Sequence, residues 1–364
     1  EVFHFNNDPK GATNVLSEIN RLAGIRSWAY RNAPDLIVLG RTALKLDADP
    51  KLVLDKLYHP AREHDPNFAG TAQAIGDLAL SKSDYELAGR TFQLALKRHP
   101  KNADLHFGAA RAFAPSDGKT MTQHLQATLT ANPNHAGARL LMADRLIDRE
   151  AYDEAETQLS KVLAVNPHHP EAWAYRSVIA HLRADTTAES KAREQALANW
   201  KTNPRVDHLI GKKLSQKYRF AEGSAHQKQA LAFDEKYLPA KIQLAQDLLR
   251  LGFEKEGWAM TVAAHESDGY DVTTYNLVTL RDTLGKYTTL TNANFIVRMD
   301  PHEAAIYGPR ALRLLDRAHD TLCKKYGLKL KQRTTVEIFA KQKDFGVRTF
   351  GMPDNPGFLG VCFG

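Results

Sequence analysis

A histidine beside a glutamate is the first pairing to test for bond-cleaving chemistry. On a helix, His-Glu-x-x-His turns two imidazoles to one side to hold zinc, and the glutamate acts as general base on the metal-bound water. The chain has two His-Glu pairs. His302-Glu303 is followed by Ala304, Ala305 and Ile306, and His265-Glu266 by Ser267, Asp268 and Gly269, so both lack the second histidine. His168-His169, between Pro167 and Pro170, reads as a solvated junction. The two cysteines, Cys323 and Cys362, are too few for a four-cysteine zinc site or a disulfide framework. Cys323 falls near an apolar helical stripe and reads as a small core residue. The sequence places no histidine near Cys362. The expectation is a chain with no catalytic residue and no metal ligand of its own.

Composition bounds the remaining classes. The chain has 364 residues, 43% hydrophobic and 25% charged, the balance of a folded protein with room for two domains or more. No apolar run reaches the roughly 18–20 residues that span a bilayer. The opening "EVFHFNNDPKG" has neither a basic n-region nor an apolar core. The net charge of +7 is spread along the chain. Its densest basic run, residues 324 to 333, lacks the interleaved aromatics of a stacking platform, so nucleic acid is not an expected partner. Oligomeric state is not readable.

The elements that would position any site come from a repeat. Pro66, Pro100, Pro133 and Pro167 recur at a nearly constant interval, the middle step being shorter by one. Between and just after them recur small and larger apolar residues: Ile75-Gly76, Ala88, Phe92 and Ala95 in one unit, Ala155 and Leu159 in another, and Trp173 near the start of a third. That third unit closes at Pro204 after a small insertion. Gly211 and Ala230 mark the next, with Glu235 where a proline would stand, and residues 237 to 260 begin one more. Two antiparallel helices per unit explain these types: small residues let backbones approach, and a larger apolar residue fills the gap. One unit cannot bury its own stripe, so neighbours must stack. The pattern, with its period of about 34 residues, resembles the tetratricopeptide repeat over the stretch from 35 to 265. Residues 1–34 read as a cap or partial repeat, and 35–268 as about six to seven repeats.

Such arrays present a groove lined by the first helix of each pair, which implies a protein or peptide partner. The candidate lining residues are Gln73, Asp77, His106, Asp144, His208 and Lys212, with Ala110 beside His106. They do not form the Lys/Asn/Arg clamp of chaperone-binding arrays.

After Gly269 the pattern fails. Residues 269–293 read as a helical bridge. Residues 294–299 read as a strand, and Asp300-Pro301 as the start of an amphipathic helix carrying Leu312, Leu315, Ala318, Leu322 and Tyr326. Gly327 ends it. Residues 333 to 340 read as a second strand, "KDFGVRTFG" as a short helix, and "PGFLGVCFG" as a third strand. The predicted fold is therefore mainly α. A solenoid of helical hairpins is followed by the incomplete start of an α/β (α+β) domain over 294–364.

Residues 294–364 resemble the start of the peptidase-MA-like domain of bacterial tetratricopeptide-repeat zinc metallopeptidases. The resemblance rests on Phe295 to Arg298, Val336-Glu337-Ile338-Phe339, Asp344-Phe345, Val347-Arg348 and Leu359 to Gly364, with "YDVTTYNL" (270–277) as the link. It implies a gluzincin parent whose His-Glu-x-x-His helix and zinc follow this segment. It also implies an exported or envelope location. On that reading Leu359, Gly360, Val361, Cys362 and Phe363 form an edge strand that pairs with substrate backbone, and this chain alone is inactive. The alternative is a non-enzymatic scaffold with a small α/β appendage.

Overall fold

The computed structural model describes residues 2–6, 8–25, 29–353 and 357–363. It divides into two compact units, Glu1–Val272 with Phe363–Gly364, and Thr273–Cys362.

The first unit opens with α1 (Val2–Phe5) and α2 (Pro9–Ile25), followed by helical hairpins. In the first hairpin α3 (Ala33–Lys45) packs on a second arm of three consecutive segments: α4 (Pro50–Val53), a π-helical turn over Leu54–Tyr58, and α5 (His59–His64). Six regular pairs follow. They are α6 (Ala69–Ser81) with α7 (Tyr85–Leu96), α8 (Ala103–Phe113) with α9 (Gly118–Ala131), and α10 (Ala136–Asp148) with α11 (Tyr152–Val165). Next come α12 (Pro170–Leu182) with α13 (Thr186–Leu197), α14 (Pro204–Gln216) with α15 (Phe220–Phe233), and α16 (Leu238–Arg250) with α17 (Glu254–Ser267).

Local chemistry sets these boundaries. Side chains of Asp84, Asn102, Asp117 and Asp185 accept hydrogen bonds from backbone N–H groups at the helix starts. Pro204 is the first residue of α14, as Pro170 is of α12. It opens a helix where its missing N–H costs nothing and does not close the preceding repeat. No insertion is needed, because the step from Pro170 to Pro204 equals that from Pro66 to Pro100.

Two columns of residues hold each pair together. Gly76, Ala110, Ala143, Ser177, Gly211 and Ala245 recur once per hairpin, and all are buried. A Cβ at Gly211 would lie 2.7 Å from the Gly223 carbonyl oxygen of the paired helix, so this column sets how closely the arms approach. The second column fills the gap from the other arm. Phe92, Leu125 and Leu159 are buried apolar plugs, but Arg193, Gln227 and Thr261 then take the same place. Arg193 grips the fully buried Asp207 with two hydrogen bonds of 2.8 and 2.7 Å, and His226 adds a third at 2.8 Å. Burial works against the Asp207 charge, but the bonds from His226 and Arg193 outweigh it and hold its carboxyl below the ordinary range.

Turns between arms repeat as well. Ser83, Glu150, Ala184 and Tyr218 have φ between 58° and 62°, and the matching Gly252 has φ 82°. A left-handed residue ends each of these first arms, and glycine supplies it only once.

In the second unit α18 (Val272–Leu284) leads to β1 (Thr288–Thr291), β2 (Phe295–Met299), α19 (Pro301–Tyr326), β3 (Thr334–Ile338) and α20 (Gln342–Phe350). The sheet order is β1-β2-β3, with β1 antiparallel and β3 parallel to β2. Alternation along β2 buries Phe295, Val297 and Met299 against Ala304, Leu312 and Leu315 of α19. Gly327, at φ 64°, closes α19.

Two expectations need correction. The bridge is not helical throughout: Thr288–Thr291 pairs with β2, and its β-branched threonines suit a strand. The third strand is therefore β1, not "PGFLGVCFG". Residues 357–363 form no strand: Gly357 has φ 110°, Leu359 is fully exposed, and no ladder pairs them. Residues 354–356 and 364 lie outside the described residues.

Candidate protein-binding face

The first arms of the hairpins share one face, and their side chains meet across repeats. Asp77 of α6 accepts from Gln73 at 2.9 Å and pairs with Arg111 of α8, one repeat on, at 2.9 Å. Asp144 of α10 accepts from the Tyr175 hydroxyl of α12 at 3.1 Å. The Lys213 ammonium of α14 reaches back over α12 to Asp144 at 2.8 Å and Asp148 at 2.6 Å. A bond that skips a whole repeat requires the face to be concave there. Ser215 of α14 donates to Asp247 of α16 at 2.8 Å.

Burial tunes these groups. Lys213 is 1% exposed and Asp247 fully buried. Burial, opposed by the Ser215 bond and the Arg250 charge, pushes the Asp247 carboxyl up to about 6. Burial, with Asp144 adjoining, raises the Tyr175 hydroxyl well above its ordinary value. His208 bonds Gln227 at 2.9 Å, and burial, with Lys212 adding to it, pushes its imidazole down to about 3. It stays neutral.

Of the residues named from sequence, Gln73, Asp77 and Asp144 sit in this polar ladder. Lys212 is exposed, while His208 is turned into its own hairpin. His106 and Ala110 are one position out of register. Ala110 is fully buried in the small-residue column. His106 bonds His124 at 3.0 Å and the Pro100 carbonyl oxygen at 3.0 Å. The equivalent positions are Phe107 and Arg111, with the Arg111 guanidinium 5.7 Å from the Phe107 ring centre. The offset of one full repeat from Asp77 to Arg111 was the available signal. Lys213, next to Lys212 in the chain, had none, because its partners lie two repeats away. His168 is solvent-exposed, whereas His169 is half-buried and its imidazole is lowered chiefly by burial. Cys323 is half-buried and Cys362 exposed. Among the described residues no group of three or more His, Cys, Asp or Glu side chains could hold a metal ion. No described helix is long and apolar enough to cross a membrane.

Two sequence profiles of the tetratricopeptide repeat match, over residues 74–119 and 122–185. No curated protein matches the chain. Among solved structures, a tetratricopeptide repeat protein from Parabacteroides merdae is 13% identical, with 72% of this chain and 97% of that chain covered and a TM-score of 0.43. TTC0263, a thermophilic TPR protein of Thermus thermophilus, is 19% identical over 50% of this chain and 99% of that one, with a TM-score of 0.41. The Cut9 and Hcn1 hetero-tetramer of APC/C gives 16% identity, 73% and 52% coverage, and a TM-score of 0.45. The hairpins within residues 74–185 match the tetratricopeptide repeat.

Proposed function

We propose that the chain is a protein-binding scaffold whose first-arm face receives a segment of a partner protein. The observation that carries this is the stacked array of helical hairpins, matched to the tetratricopeptide repeat over residues 74–185, whose first arms share one face that is concave at Lys213. Phe107, Arg111 and Lys212 supply that face with an aromatic ring and two cations; Arg111 is already paired to Asp77 within the array. A partner that engages them would offer carboxylates beside an apolar side chain. The test is affinity capture with the full chain. A partner lost on Phe107→Ala or Lys212→Glu, but kept on Lys161→Glu of the second arm α11, supports the reading. Equal loss in all three, or in none, rejects it.

A second reading follows the resemblance of residues 294–364 to peptidase-MA-like domains. The parallel β2–α19–β3 unit supports it, since it joins the strands and helix in which that resemblance lies. Under it, the repeats would deliver a protein substrate to zinc chemistry carried by other residues, because His265-Glu266 and His302-Glu303 are not ligand sets. The gene sequence after codon 364 decides it: no His-Glu-x-x-His on the next predicted helix ends the peptidase reading.

A further inference from the structure

Residues 268–272, which follow the last hairpin, return to the beginning of the array. Asp268 ends α17 with an Asx turn, its Oδ1 accepting from the Tyr270 N–H at 3.0 Å. The same turn, formed by Asp65, Asn132, Asn166 and Asp234, follows other second arms. At Asp268 the other carboxylate oxygen does something further. It takes the Lys82 ammonium, which stands far back in the chain, in the turn between α6 and α7. Both side chains are largely buried, at 15% and 5% exposure. The Tyr270 hydroxyl donates to Asp84 at 3.1 Å, and its ring packs on the core of the first two hairpins beside the Lys51 ammonium. The Val272 N–H donates to the Lys82 carbonyl oxygen at 2.9 Å. A looser pair, Lys236 with Asp47 at 3.7 Å, joins the turn before α16 to the end of α3.

A solenoid held only by nearest-neighbour contacts has two free ends. Here an ion pair, a hydroxyl bond, a main-chain bond and a half-buried ring all tie one end to the other. We propose that residues 268–272 are a latch that closes the array on itself, and that its release lets the first two hairpins swing away from the last. The latch sets the curvature of the first-arm face. A partner therefore meets either a preset closed face or, once the latch is released, a wider one. That consequence rests on the scaffold reading, but the latch itself is tested by opening alone.

Two variants of the full chain separate the contacts. Lys82→Met keeps the aliphatic stem and removes the charge. Tyr270→Ala removes the ring and hydroxyl but leaves the Asx turn. Amide exchange by mass spectrometry should rise at least tenfold in residues 82–84 and 270–272 in both variants. Exchange in α8 to α15 should stay unchanged, and small-angle scattering should report a larger radius of gyration. Asp268→Asn, which retains the Oδ1 acceptor of the turn, should reproduce Lys82→Met and add nothing to it in the double variant. Unchanged exchange in both segments overturns the latch. So does a rise spread evenly over all hairpins, because the contact would then be ordinary core. Failure of the capture experiment above would leave these readings untouched.

Discussion

Asp247 carries a proton through a range where carboxylates are normally ionised. Its folded pKa of about 6 stands above the ordinary 3.8, so the folded protein holds this proton more tightly than the unfolded chain. The stability it contributes is complete below the ordinary carboxylate range and is lost as pH rises through about 6. Two pK units correspond to ~3 kcal/mol. His208 acts in the opposite sense: its folded pKa of about 3 lies below 6.5, so its contribution is lost as pH falls from 6.5 toward 3. Between pH 4 and 6 the two offset one another. Asp247→Asn should therefore match the parent near pH 4 and exceed it by up to ~3 kcal/mol at pH 8, read by urea unfolding across pH. Lys213 gives a second residue-scale expectation. Removing a buried cation takes the shared ammonium from Asp144 and Asp148 and leaves them with the Tyr175 hydroxyl and Arg145, so Lys213→Ala should lower stability by about 3 kcal/mol in the same assay.

At the scale of the element, the turns between arms hold stability in reserve. Ala184 sits at φ 59° with no side-chain hydrogen-bonding group to favour it there, while Gly252 occupies the matching position without a Cβ. Ala184→Gly should raise the unfolding free energy by ~0.5–1 kcal/mol, since relief of the left-handed strain exceeds the added freedom of the unfolded chain. Gly252→Ala should lower it by a similar amount. Both are readable as shifts in urea midpoint. These turns also explain what the sequence could and could not show. Gly76, Ala88, Phe92 and Ala155 announce hairpins because close helix contact accepts few side chains. The interval from Pro100 to Pro133 is shorter than its neighbours because Ala110 and Leu125, facing each other across the α8–α9 hairpin, stand closer in sequence than Gly76 and Phe92 do. Carrying that shortened interval back into α8 shifts the reading from Phe107 and Arg111 to His106 and Ala110. Arg193 and Gln227 do not stand out as plugs, because their placement depends on Asp207 and His208 of α14, the next first arm for Arg193 and the paired first arm for Gln227. Thr288–Thr291 is too short to show alternation. "GFLGVCFG" has strand-like residues, but strand formation depends on a neighbour to bond with.

Across the whole molecule, part of the charge is paired internally. Asp77 pairs with Arg111, Asp144 and Asp148 share Lys213, and Asp207 pairs with Arg193, so these groups add no positive charge to the +7 excess. The basic run over residues 324–333, exposed throughout, holds part of it in the second unit. The change of plug along the array has a consequence in time. Phe92, Leu125 and Leu159 can collapse as soon as their arms meet, because apolar burial needs no exact partner geometry. Arg193 and Gln227 gain nothing from desolvation until Asp207, His226 and His208 are in position to receive them. The hairpins from α6 to α11 should therefore nucleate first, with α12 to α15 docking onto them in a later, slower phase. Pulse-labelled amide exchange during refolding should show that order, and Gln227→Leu should shorten the second phase. A chain whose repeats look interchangeable would then have a direction of assembly, written in which of its repeats are oily and which are wet.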